Sequence, residues 1–502
     1  MQRATAGQER GVSILHGITL TERPADWSVL QQEDGRAKVT ISGTFRVHPA
    51  AIAVGVESAV PCYRVMREDD NMAVIPWPPI QNSICEDTVN FTGHFRNEFY
   101  VPTGGPYRLE TALKTKSTKP DTTWLYRGDV TMHFLVGDVF IIAGQSNSAG
   151  HAWDYCPDPP DLCVHLFRNN GKWDLAAHPM NESTDAGSLP NEEMGIPGIC
   201  PYLSFGKKYY ALTGRPVGLV QTALGGSSIS QWSPDHGELY RNMLERCHRA
   251  GAHFAGILWY QGCNDATPIT AGHYEEDFRR LVEAARRDLG FEIPFYTVQL
   301  NRQVDADSDE GWAMVREAQR RAAKDLPSVS VISSTNLPIS DGIHNSAAGN
   351  LVLGERLAMH VAGRKKLTGC EEFEAPELTR VFEISTEDQH RLAMEDGFWI
   401  GLHFSHVRTW FVLYSGKGEE SGFTVEDAEG MLRIERVRAN LEDGCRMYLK
   451  LNRRPGKRIR ISFAWQADPV RTPPVDAVTY LPPLSFYRNE FEVGKNDDWE
   501  RS

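Results

Sequence analysis

Between residues 139 and 298, short runs of uniformly apolar residues alternate with longer polar stretches, and this alternation restricts the possible folds strongly. The runs occupy residues 139–143, 217–220, 256–260 and 294–298. Strands that are apolar on both faces are typical of a parallel sheet covered by helices on both sides. The last two runs are separated by residues 274–289, which have one apolar helical face, formed by Phe278, Leu281, Val282, Ala285 and Leu289. This spacing predicts an amphipathic helix and, with the strands, an α/β domain over residues 137–368.

The sequence before and after this segment consists of short strand-like runs separated by Gly, Pro, Asn and Asp. The clearest runs are residues 38–42, 51–56, 107–111, 130–134, 398–402, 410–414, 447–451 and 460–463. Runs of this length without a helical period indicate antiparallel sandwiches. We therefore expect three domains: a β-sandwich over residues 1–136, the α/β domain over 137–368 and a second β-sandwich over 369–502.

The charge of the chain argues against nucleic acid and membrane as partners. Its 502 residues include 53 Lys and Arg and 66 Asp and Glu, which gives a formal net charge of −13. The resulting field repels phosphate backbones and anionic lipid. No segment approaches the roughly 18 consecutive apolar residues of a membrane-spanning helix. We expect a folded protein that binds neither.

The cysteines and the N-terminal residues suggest a reducing compartment. The nine cysteines are odd in number and include no Cys-x-x-Cys pair, which does not indicate a disulfide framework. The first 17 residues contain neither a basic run followed by an apolar core nor a small-residue cleavage site. These features predict a cytoplasmic protein, or a secreted one if a leader has been trimmed from the sequence.

Two short segments carry residues suited to nucleophilic catalysis. The first apolar run leads into Gly144, Gln145 and Ser146, so Ser146 lies at the carboxyl edge of the predicted sheet, where backbone N–H groups can stabilise an oxyanion. Asp341 precedes His344 by three residues, a spacing that lets a carboxylate orient an imidazole within one loop. Taken separately, each has a simpler interpretation, since Ser146 suits a helix N-cap and the Asp341 segment suits a structural turn.

Two further segments follow other predicted strands and offer hydrogen-bond donors. Gly225 and Gly226 follow the run at 217–220, and adjacent glycines let the backbone approach a ligand and present an N–H to an oxyanion. Gln261 follows the run at 256–260 and offers a side-chain N–H. The alternatives are a flexible turn for the glycines and a solvated amide for Gln261. Because all four segments lie at strand ends of one predicted domain, together they favour a single catalytic site.

The four segments resemble blocks of the SGNH-hydrolase superfamily, in the branch that contains sialate O-acetylesterases and acetylxylan esterases. The blocks that carry the resemblance are GQSN at 144–147, GGSSISQW at 225–232, WYQGCND at 259–265 and DGIH at 341–344. The resemblance covers residues 137–365 closely, and residues 100–109 are similar to the strand region that precedes this domain in multidomain members. It implies an SGNH (flavodoxin-like) three-layer α/β/α domain with a parallel sheet, flanked by N-terminal and C-terminal β-sandwich domains.

The resemblance also implies roles for individual residues in a serine carboxylic ester hydrolase. Ser146 would be the nucleophile, His344 the general base and then acid, and Asp341 the residue that orients it. The implied oxyanion donors are the N–H groups of Ser146 itself and of a glycine, together with one side-chain amide. The glycine is Gly226, with Gly225 as the less favoured choice, and the side-chain amide is that of Gln261.

The implied activity is the removal of acetyl groups from carbohydrate. The expected substrate is an O-acetylated plant polysaccharide or oligosaccharide, and the alternative is O-acetylated sialic acid. Chemistry of this kind needs no metal or organic cofactor, because side chains and backbone supply attack, proton transfer and charge stabilisation. The sequence leaves the oligomeric state open.

Two positions depart from the family pattern. Cys263 stands where most relatives have a Glu that has been considered as the triad acid, so the acid role falls to Asp341. Asn345 stands where relatives commonly have Pro after the His. The first departure motivates a second hypothesis, a non-catalytic glycan-binding protein on an esterase scaffold. The presence of Ser146, Asp341 and His344 argues against it.

Two other groups of residues have a chemical and a structural interpretation. Trp232 and Trp259 have faces that suit sugar rings, but large aromatic side chains are mostly buried, so we expect them in the core. A group of His and Cys residues fits no common zinc spacing, and no metal is expected there; its members are His151, Cys156, Cys163 and His165.

Overall fold

A computed structural model of the chain describes residues 16–495 except 119, 120, 188, 252 and 368. Residues 1–15, on which most of the expectation about a leader rests, and Thr368, the predicted end of the α/β domain, lie outside the described residues. The chain divides into two compact units, Met1–Gly137 and Asp138–Ser502. The three-domain boundaries stay a prediction.

The first unit contains two β-sheets. Its elements are β1 (Gly17–Glu22), β2 (Val29–Gln31), β3 (Arg36–Arg46), α1 (Pro49–Ala53), β4 (Val56–Arg67), β5 (Ala73–Ile75), β6 (Ser83–Asp87), β7 (Thr92–Pro102), β8 (Gly104–Thr118) and β9 (Asp121–Gly144). One sheet has the order β1-β3-β7-β6, and the other joins β5, β4, β8, β9 and β2. All of these pairs are antiparallel except β2 with β9. Alternating residues of both sheets, such as Ile41 and Leu109, form one hydrophobic core.

The prediction of one strand in this unit is wrong. The apolar run at residues 51–56 predicts a strand, but Pro49–Ala53 form helix α1 and β4 begins at Val56. Pro49 occupies the start of the helix, and the side chain of His48 accepts a hydrogen bond from Ala50 N at 3.2 Å. A proline in the first turn and a capping side chain both favour helix initiation, and they outweigh the local strand pattern.

The second unit begins with an α/β region built on a mostly parallel sheet. Its elements are α2 (Ser146–Ala149), β10 (Val164–Phe167), β11 (Trp173–Leu175), α3 (Tyr202–Thr213), β12 (Val217–Gln221), α4 (Glu238–Ala250), β13 (Gly256–Tyr260), α5 (Tyr274–Leu289), β14 (Phe295–Val298), α6 (Asp309–Asp325), β15 (Val329–Ile332) and α7 (Ala347–Arg364). The strand order is β11-β10-β12-β9-β13-β14-β15, in which only the β10–β11 pair is antiparallel. The predicted helix over residues 274–289 coincides with α5.

The position of β9 in this sheet determines where the candidate site residues lie. β9 pairs in parallel with β12 on one side and with β13 on the other. The carboxyl ends of these strands therefore lie at one edge of the sheet, so the segments that follow them, with Ser146, Gly226 and Gln261, become neighbours. Helix α3 packs against α7, and α5 packs against α6.

The rest of the second unit is again β-structure. Its elements are β16 (Glu377–Glu383), α8 (Thr386–Arg391), β17 (Phe398–Ser405), β18 (Phe411–Val412), β19 (Phe423–Asp427), β20 (Gly430–Leu432), β21 (Ile434–Ala439), β22 (Arg446–Leu451), β23 (Arg458–Phe463), β24 (Val475–Asp476), β25 (Phe486–Glu492) and β26 (Gly494–Lys495). Two sheets, β21-β22-β17-β16-β26 and β20-β19-β23-β25, contribute to one core that includes Leu402 and Ile461. The chain thus has a mixed α/β fold with additional β-regions before and after the α/β part.

A buried charged group beside α3 makes the stability of the second unit depend on pH. His178 Nε2 lies 2.9 Å from Asp158 Oδ2, and Lys207 of α3 contacts the other oxygen of the same carboxylate. Burial acts to lower the pKa of His178, but hydrogen bonds and electrostatic attraction to Asp158 and Cys200 together outweigh it and raise the pKa to about 9. A raised pKa in the folded state stabilises the protein fully below the unfolded value, about 6.5, and this contribution disappears as the pH rises through 9.

We therefore expect the free energy of unfolding of the wild-type chain to fall by on the order of 2 kcal/mol between pH 6.5 and 9.5. Urea unfolding at several pH values measures this change. In the His178→Gln variant the slope over the same pH range is expected to be much smaller. An equal slope in both proteins would assign the pH dependence to other groups.

Candidate active site

Ser146 lies in a sharp turn between β9 and α2. Gly144, the last residue of β9, has a φ of +129°, and a Cβ atom there would come within 2.2 Å of the carbonyl oxygen of Tyr260. Only glycine fits this conformation and this space. The turn directs the Ser146 hydroxyl toward His344, whose Nε2 lies 2.9 Å from Ser146 Oγ.

Asp341 and His344 lie in one loop, as the three-residue spacing predicts. Asp341 Oδ2 is 2.7 Å from His344 Nδ1, so the carboxylate accepts from the imidazole N–H that points away from Ser146. Asp341 Oδ1 accepts from the backbone N–H groups of Ile343 and His344, at 2.8 and 2.7 Å. The structure therefore brings together the three residues that the sequence predicts as a triad, and each can perform its predicted task.

The hydrogen bonds to Asp341 keep it charged. Partial burial acts to raise the pKa of this carboxyl, but the two backbone donors and the imidazole of His344 outweigh burial, so its pKa lies below the usual value. A charged carboxylate in this position stabilises the imidazolium that forms when His344 accepts a proton. Asp341 is thus suited to the orienting role.

The side chain of Asn147 connects the nucleophile turn to the His344 loop. Its Oδ1 accepts from Asn345 N at 2.9 Å, and its Nδ2 donates to the carbonyl of Ile343 at 3.4 Å. The resemblance described above leads to the expectation of Pro at position 345, and a proline has no N–H to donate to Asn147. The N–H of Asn345 therefore supplies a hydrogen bond that holds the loop.

The side chain of Gln145 connects the nucleophile turn to the segment after β13. Gln145 is buried, and its Oε1 accepts from the backbone N–H groups of Gly262 and Cys263, both at 2.8 Å. Burial raises the pKa of the Cys263 thiol to about 12, so this side chain is neutral near pH 7. Cys263 therefore cannot act as a triad acid, and Asp341 is the carboxylate that contacts His344.

Of the predicted oxyanion donors, the backbone N–H groups of Ser146 and Gly226 are available to donate. Among the described residues, the N–H of Gly226 has no hydrogen-bond acceptor, and Ser146 N is the first N–H of α2 and has no acceptor within that helix. Gly226 has a φ of +69°, a conformation that favours glycine. Both N–H groups follow neighbouring strands and are free to donate to a ligand.

The other two predicted donors are already used. Gly225 N donates to Glu193 Oε2 at 2.8 Å. Gln261 is fully buried, and its Nε2 donates to Asp265 Oδ2 at 2.5 Å and to the carbonyl of Ser227 at 3.2 Å. An amide nitrogen has two hydrogens, so Gln261 has none left for an oxyanion. This geometry argues against the oxyanion roles of Gly225 and Gln261.

Asn264 offers the side-chain amide that Gln261 does not. It is exposed on the turn after β13, where its Nδ2 donates to the carbonyl of Gly226 and its Oδ1 lies 3.4 Å from Gln145 Nε2. Within the described part of the chain, the second hydrogen of this Nδ2 has no acceptor. The sequence does contain an indication of Asn264, because this amide residue lies three positions after Gln261 in the segment that follows the same strand.

Glu193 is a residue of the site that the sequence analysis missed. Its buried carboxylate accepts from Gly225 N, from Asn181 Nδ2 at 2.9 Å and from Gly195 N at 3.3 Å, and His151 Nε2 lies 3.5 Å away. Burial acts to raise the pKa of Glu193, but the nearby His151 imidazole and the N–H groups of Gly225 and Gly195 together outweigh it and lower the pKa. The charged Glu193 thus holds the Gly225–Gly226 backbone in place. No local pattern around residue 193 indicates this contact.

We expect Glu193→Ala to lower kcat for 4-nitrophenyl acetate by about 10- to 100-fold. The reason is that Gly225 loses its acceptor, so the neighbouring Gly226 N–H is no longer held toward the oxyanion; loss of one such donor costs on the order of 100-fold or more. The measurement is steady-state kinetics below the melting temperature of the variant. Glu192→Ala, which removes the exposed neighbouring carboxylate, is the matched control, and an equal effect in both variants would contradict the role of Glu193.

The remaining residues singled out from the sequence lie as follows. Trp232 and Trp259 are 0% and 1% exposed and pack edge to face, so the expectation of core packing is confirmed. His151 lies beside Glu193, and His165 is buried in β10. The described part of the chain contains no group of three His, Cys, Asp or Glu side chains that could hold a metal ion.

Comparison with known proteins places the α/β region in a family. Residues 136–363 match the model of the family described as "Carbohydrate esterase, sialic acid-specific acetylesterase". This segment is a member of that carbohydrate esterase family. The resemblance found in the sequence is thereby confirmed, and the region belongs to a family of hydrolytic esterases. Curated protein sequences gave no match.

One solved structure shares its fold with almost the whole chain. A carbohydrate acetylesterase from Xanthomonas citri is 20% identical, with 94% of this chain and 99% of that chain covered and a TM-score of 0.57. A protein from Arabidopsis thaliana is 26% identical, with 45% and 97% covered and a TM-score of 0.39. The protein NanS is 14% identical, with 46% and 97% covered and a TM-score of 0.37.

Within the described ranges, no helix is long and apolar enough to cross a membrane.

Proposed function

We propose that this protein is a serine O-acetylesterase that removes acetyl groups from glycans. The observation that carries the proposal is the continuous hydrogen-bonded chain from Asp341 Oδ2 through His344 to Ser146 Oγ, with distances of 2.7 and 2.9 Å. The esterase family of residues 136–363 supports an acetylated carbohydrate as the substrate, and so does the acetylesterase from Xanthomonas citri that shares the fold.

In the proposed mechanism, Ser146 Oγ attacks the acetyl carbonyl while His344 Nε2 accepts its proton. The carbonyl oxygen becomes an oxyanion, and the imidazolium is stabilised by Asp341. His344 then donates the proton to the sugar oxygen, the ester C–O bond breaks, and an acetyl group remains on Ser146. A water molecule that gives its proton to His344 attacks this acetyl-enzyme, and acetate and free Ser146 are released.

The proposed oxyanion hole consists of the N–H groups of Ser146 and Gly226 and the Nδ2 of Asn264. The two backbone groups are free to donate, and Asn264 is fixed through the carbonyl of Gly226. Donors that are already in place need no reorganisation when charge develops on the substrate oxygen, which is why such sites contribute strongly to catalysis.

We expect Asn264→Ala to lower kcat by about 100-fold with little change in the melting temperature, because one oxyanion donor is lost from an exposed turn. Gln261→Ala is expected to affect stability first, since it leaves the buried carboxylate of Asp265 without its amide donor. Thermal unfolding and steady-state kinetics of both variants separate these effects. Retention of wild-type kcat in Asn264→Ala would remove this residue from the oxyanion hole.

The proposed substrate is a neutral acetylated glycan, such as a plant polysaccharide or its oligosaccharides. The chain has a net charge of −13, and the carboxylates of Asp341 and Glu193 lie within the site. This negative field disfavours the carboxylate of a sialic acid. O-acetylated sialic acid remains the alternative substrate.

The test is acetate release by the purified protein from acetylated xylan, mannan, xyloglucan and O-acetyl sialic acid, with Ser146→Ala as the control. Release from a neutral glycan that is abolished in the variant supports the proposal. Release from O-acetyl sialic acid alone favours the alternative substrate. If no ester is cleaved but a glycan binds, the protein is the non-catalytic binding protein that Cys263 first suggested.

The proposal includes the architecture around the site. Residues 137–368 would form a flavodoxin-like, three-layer SGNH domain, with β-sandwich domains before and after it. The packing of α3 against α7 and of α5 against α6 supports two helical layers on the parallel sheet.

A further inference from the structure

Trp153 is a large aromatic residue that is exposed beside the triad. Its side chain is 58% exposed. The centre of its ring lies 6.1 Å from that of His344 and 5.9 Å from that of His151. Trp232 and Trp259, the two tryptophans considered from the sequence, are fully buried. Of these three tryptophans, only Trp153 is accessible to a substrate.

The segment that carries Trp153 is held on both sides. The indole Nε1 donates to the carbonyl of Ile196 at 2.7 Å. The carboxylate of the next residue, Asp154, accepts from Ala347 N at 2.9 and 3.0 Å, where α7 begins just after the His344 loop. On the other side, the carbonyl of Ala152 accepts from Ile199 N at 2.9 Å. The indole is therefore exposed and also fixed in position.

A fixed, exposed indole is suited to one kind of ligand. Its face is apolar and electron-rich, and it is complementary to the C–H groups on the face of a pyranose ring. Because the Trp153 side chain is already ordered, stacking does not require the loss of its rotamer freedom. Its Nε1 is occupied by Ile196, so the ring offers contact area and not a hydrogen bond.

The position of the indole indicates which sugar residue it would contact. In the proposed mechanism, His344 Nε2 protonates the ester oxygen, and that oxygen is attached to the sugar ring or to its exocyclic carbon. The sugar must therefore lie next to His344 Nε2, attached through the ester oxygen to the carbon that Ser146 Oγ attacks. The centre of the Trp153 ring lies 6.1 Å from that of His344, so the indole is next to the place where this sugar must lie.

We propose that Trp153 is the stacking platform for the pyranose ring that carries the acetyl group. This inference rests on the proposed function and restricts its substrate class. The substrate would be an acetyl ester of a sugar residue with an open apolar face, and selectivity for glycans over small acetate esters would come from this contact.

The test compares Trp153→Ala with wild type on acetylated xylo-oligosaccharide and on 4-nitrophenyl acetate. The expected result is that kcat/KM for the oligosaccharide falls at least tenfold more than kcat/KM for the small ester, through a higher KM. Trp153→Phe is expected to recover most of the loss because it keeps an aromatic face. Trp410→Ala, which removes another exposed tryptophan (44% exposed) of the second unit, is the matched control.

Binding to an inactive enzyme provides a test that does not depend on catalysis. In Ser146→Ala, the added Trp153→Ala change is expected to weaken binding of the oligosaccharide at least tenfold in calorimetry. Equal losses on both esters would show that Trp153 supports His344 and would overturn the proposal, as would unchanged oligosaccharide affinity. If wild type cleaves no ester but Trp153→Ala weakens glycan binding, the proposed function fails and the platform stands.

Discussion

Replacement of His344 by alanine is expected to lower kcat/KM by about 10,000-fold or more. His344 Nε2 is the group within hydrogen-bond distance of Ser146 Oγ, and without it the hydroxyl has no acceptor for its proton during attack. The backbone donors of the oxyanion hole remain, so a low residual activity above that of water is expected. Hydrolysis of 4-nitrophenyl acetate by wild type and variant measures the loss.

The control for this variant is His236→Ala, which removes an exposed histidine from the loop before α4. It is expected to leave kcat/KM near the wild-type value. If kcat/KM of His344→Ala stays within tenfold of the wild-type value, in a preparation free of contaminating esterase, the proposed mechanism is wrong. Such a result would direct attention to another base for Ser146.

Asp341→Asn is expected to lower kcat by about 1,000- to 10,000-fold while leaving the loop intact. The amide oxygen can take the place of Oδ1 and accept from the N–H groups of Ile343 and His344. The amide NH2 would then face His344 Nδ1 and donate to it. This forces the imidazole proton onto Nε2, where it faces Ser146, so the imidazole can no longer accept a proton from the hydroxyl.

The measurement for Asp341→Asn combines kinetics with thermal unfolding. The melting temperature is expected to stay close to that of wild type, because the contacts of Oδ1 with the backbone are retained. Asp305→Asn, a change of the same kind in a loop outside the triad, serves as the control. If Asp341→Asn keeps more than a third of wild-type kcat, the carboxylate has no part in orienting His344.

Much of the α/β region was predictable because its signals are local. Strands that are apolar on both faces identified β12, β13 and β14, and the spacing of apolar residues gave α5 its observed ends. The strand-end positions of Ser146 and Gly226 followed from the same runs, since the carboxyl ends of parallel strands share one edge. The short spacing between Asp341 and His344 placed both in one loop.

The errors and omissions concern features that depend on distant neighbours. Gln261 is at a strand end, as predicted, but the direction of its amide is determined by Asp265 and Ser227. Glu193 reaches Gly225 from a loop 32 residues earlier in the chain, a contact that no periodicity reveals. The strand predicted at residues 51–56 is wrong for a different reason. The helix-starting effect of Pro49 is a local signal, but the apolar run that follows it is also typical of a strand.

The connections between the nucleophile turn and its two neighbouring segments are made by neutral amides. Gln145 holds the backbone after β13, and Asn147 holds the backbone of the His344 loop. Amide side chains do not gain or lose protons between pH 4 and 10, so these attachments keep the same strength across that range. A change of pH within this range should therefore leave the backbone after β13 and the backbone of the His344 loop attached to the nucleophile turn.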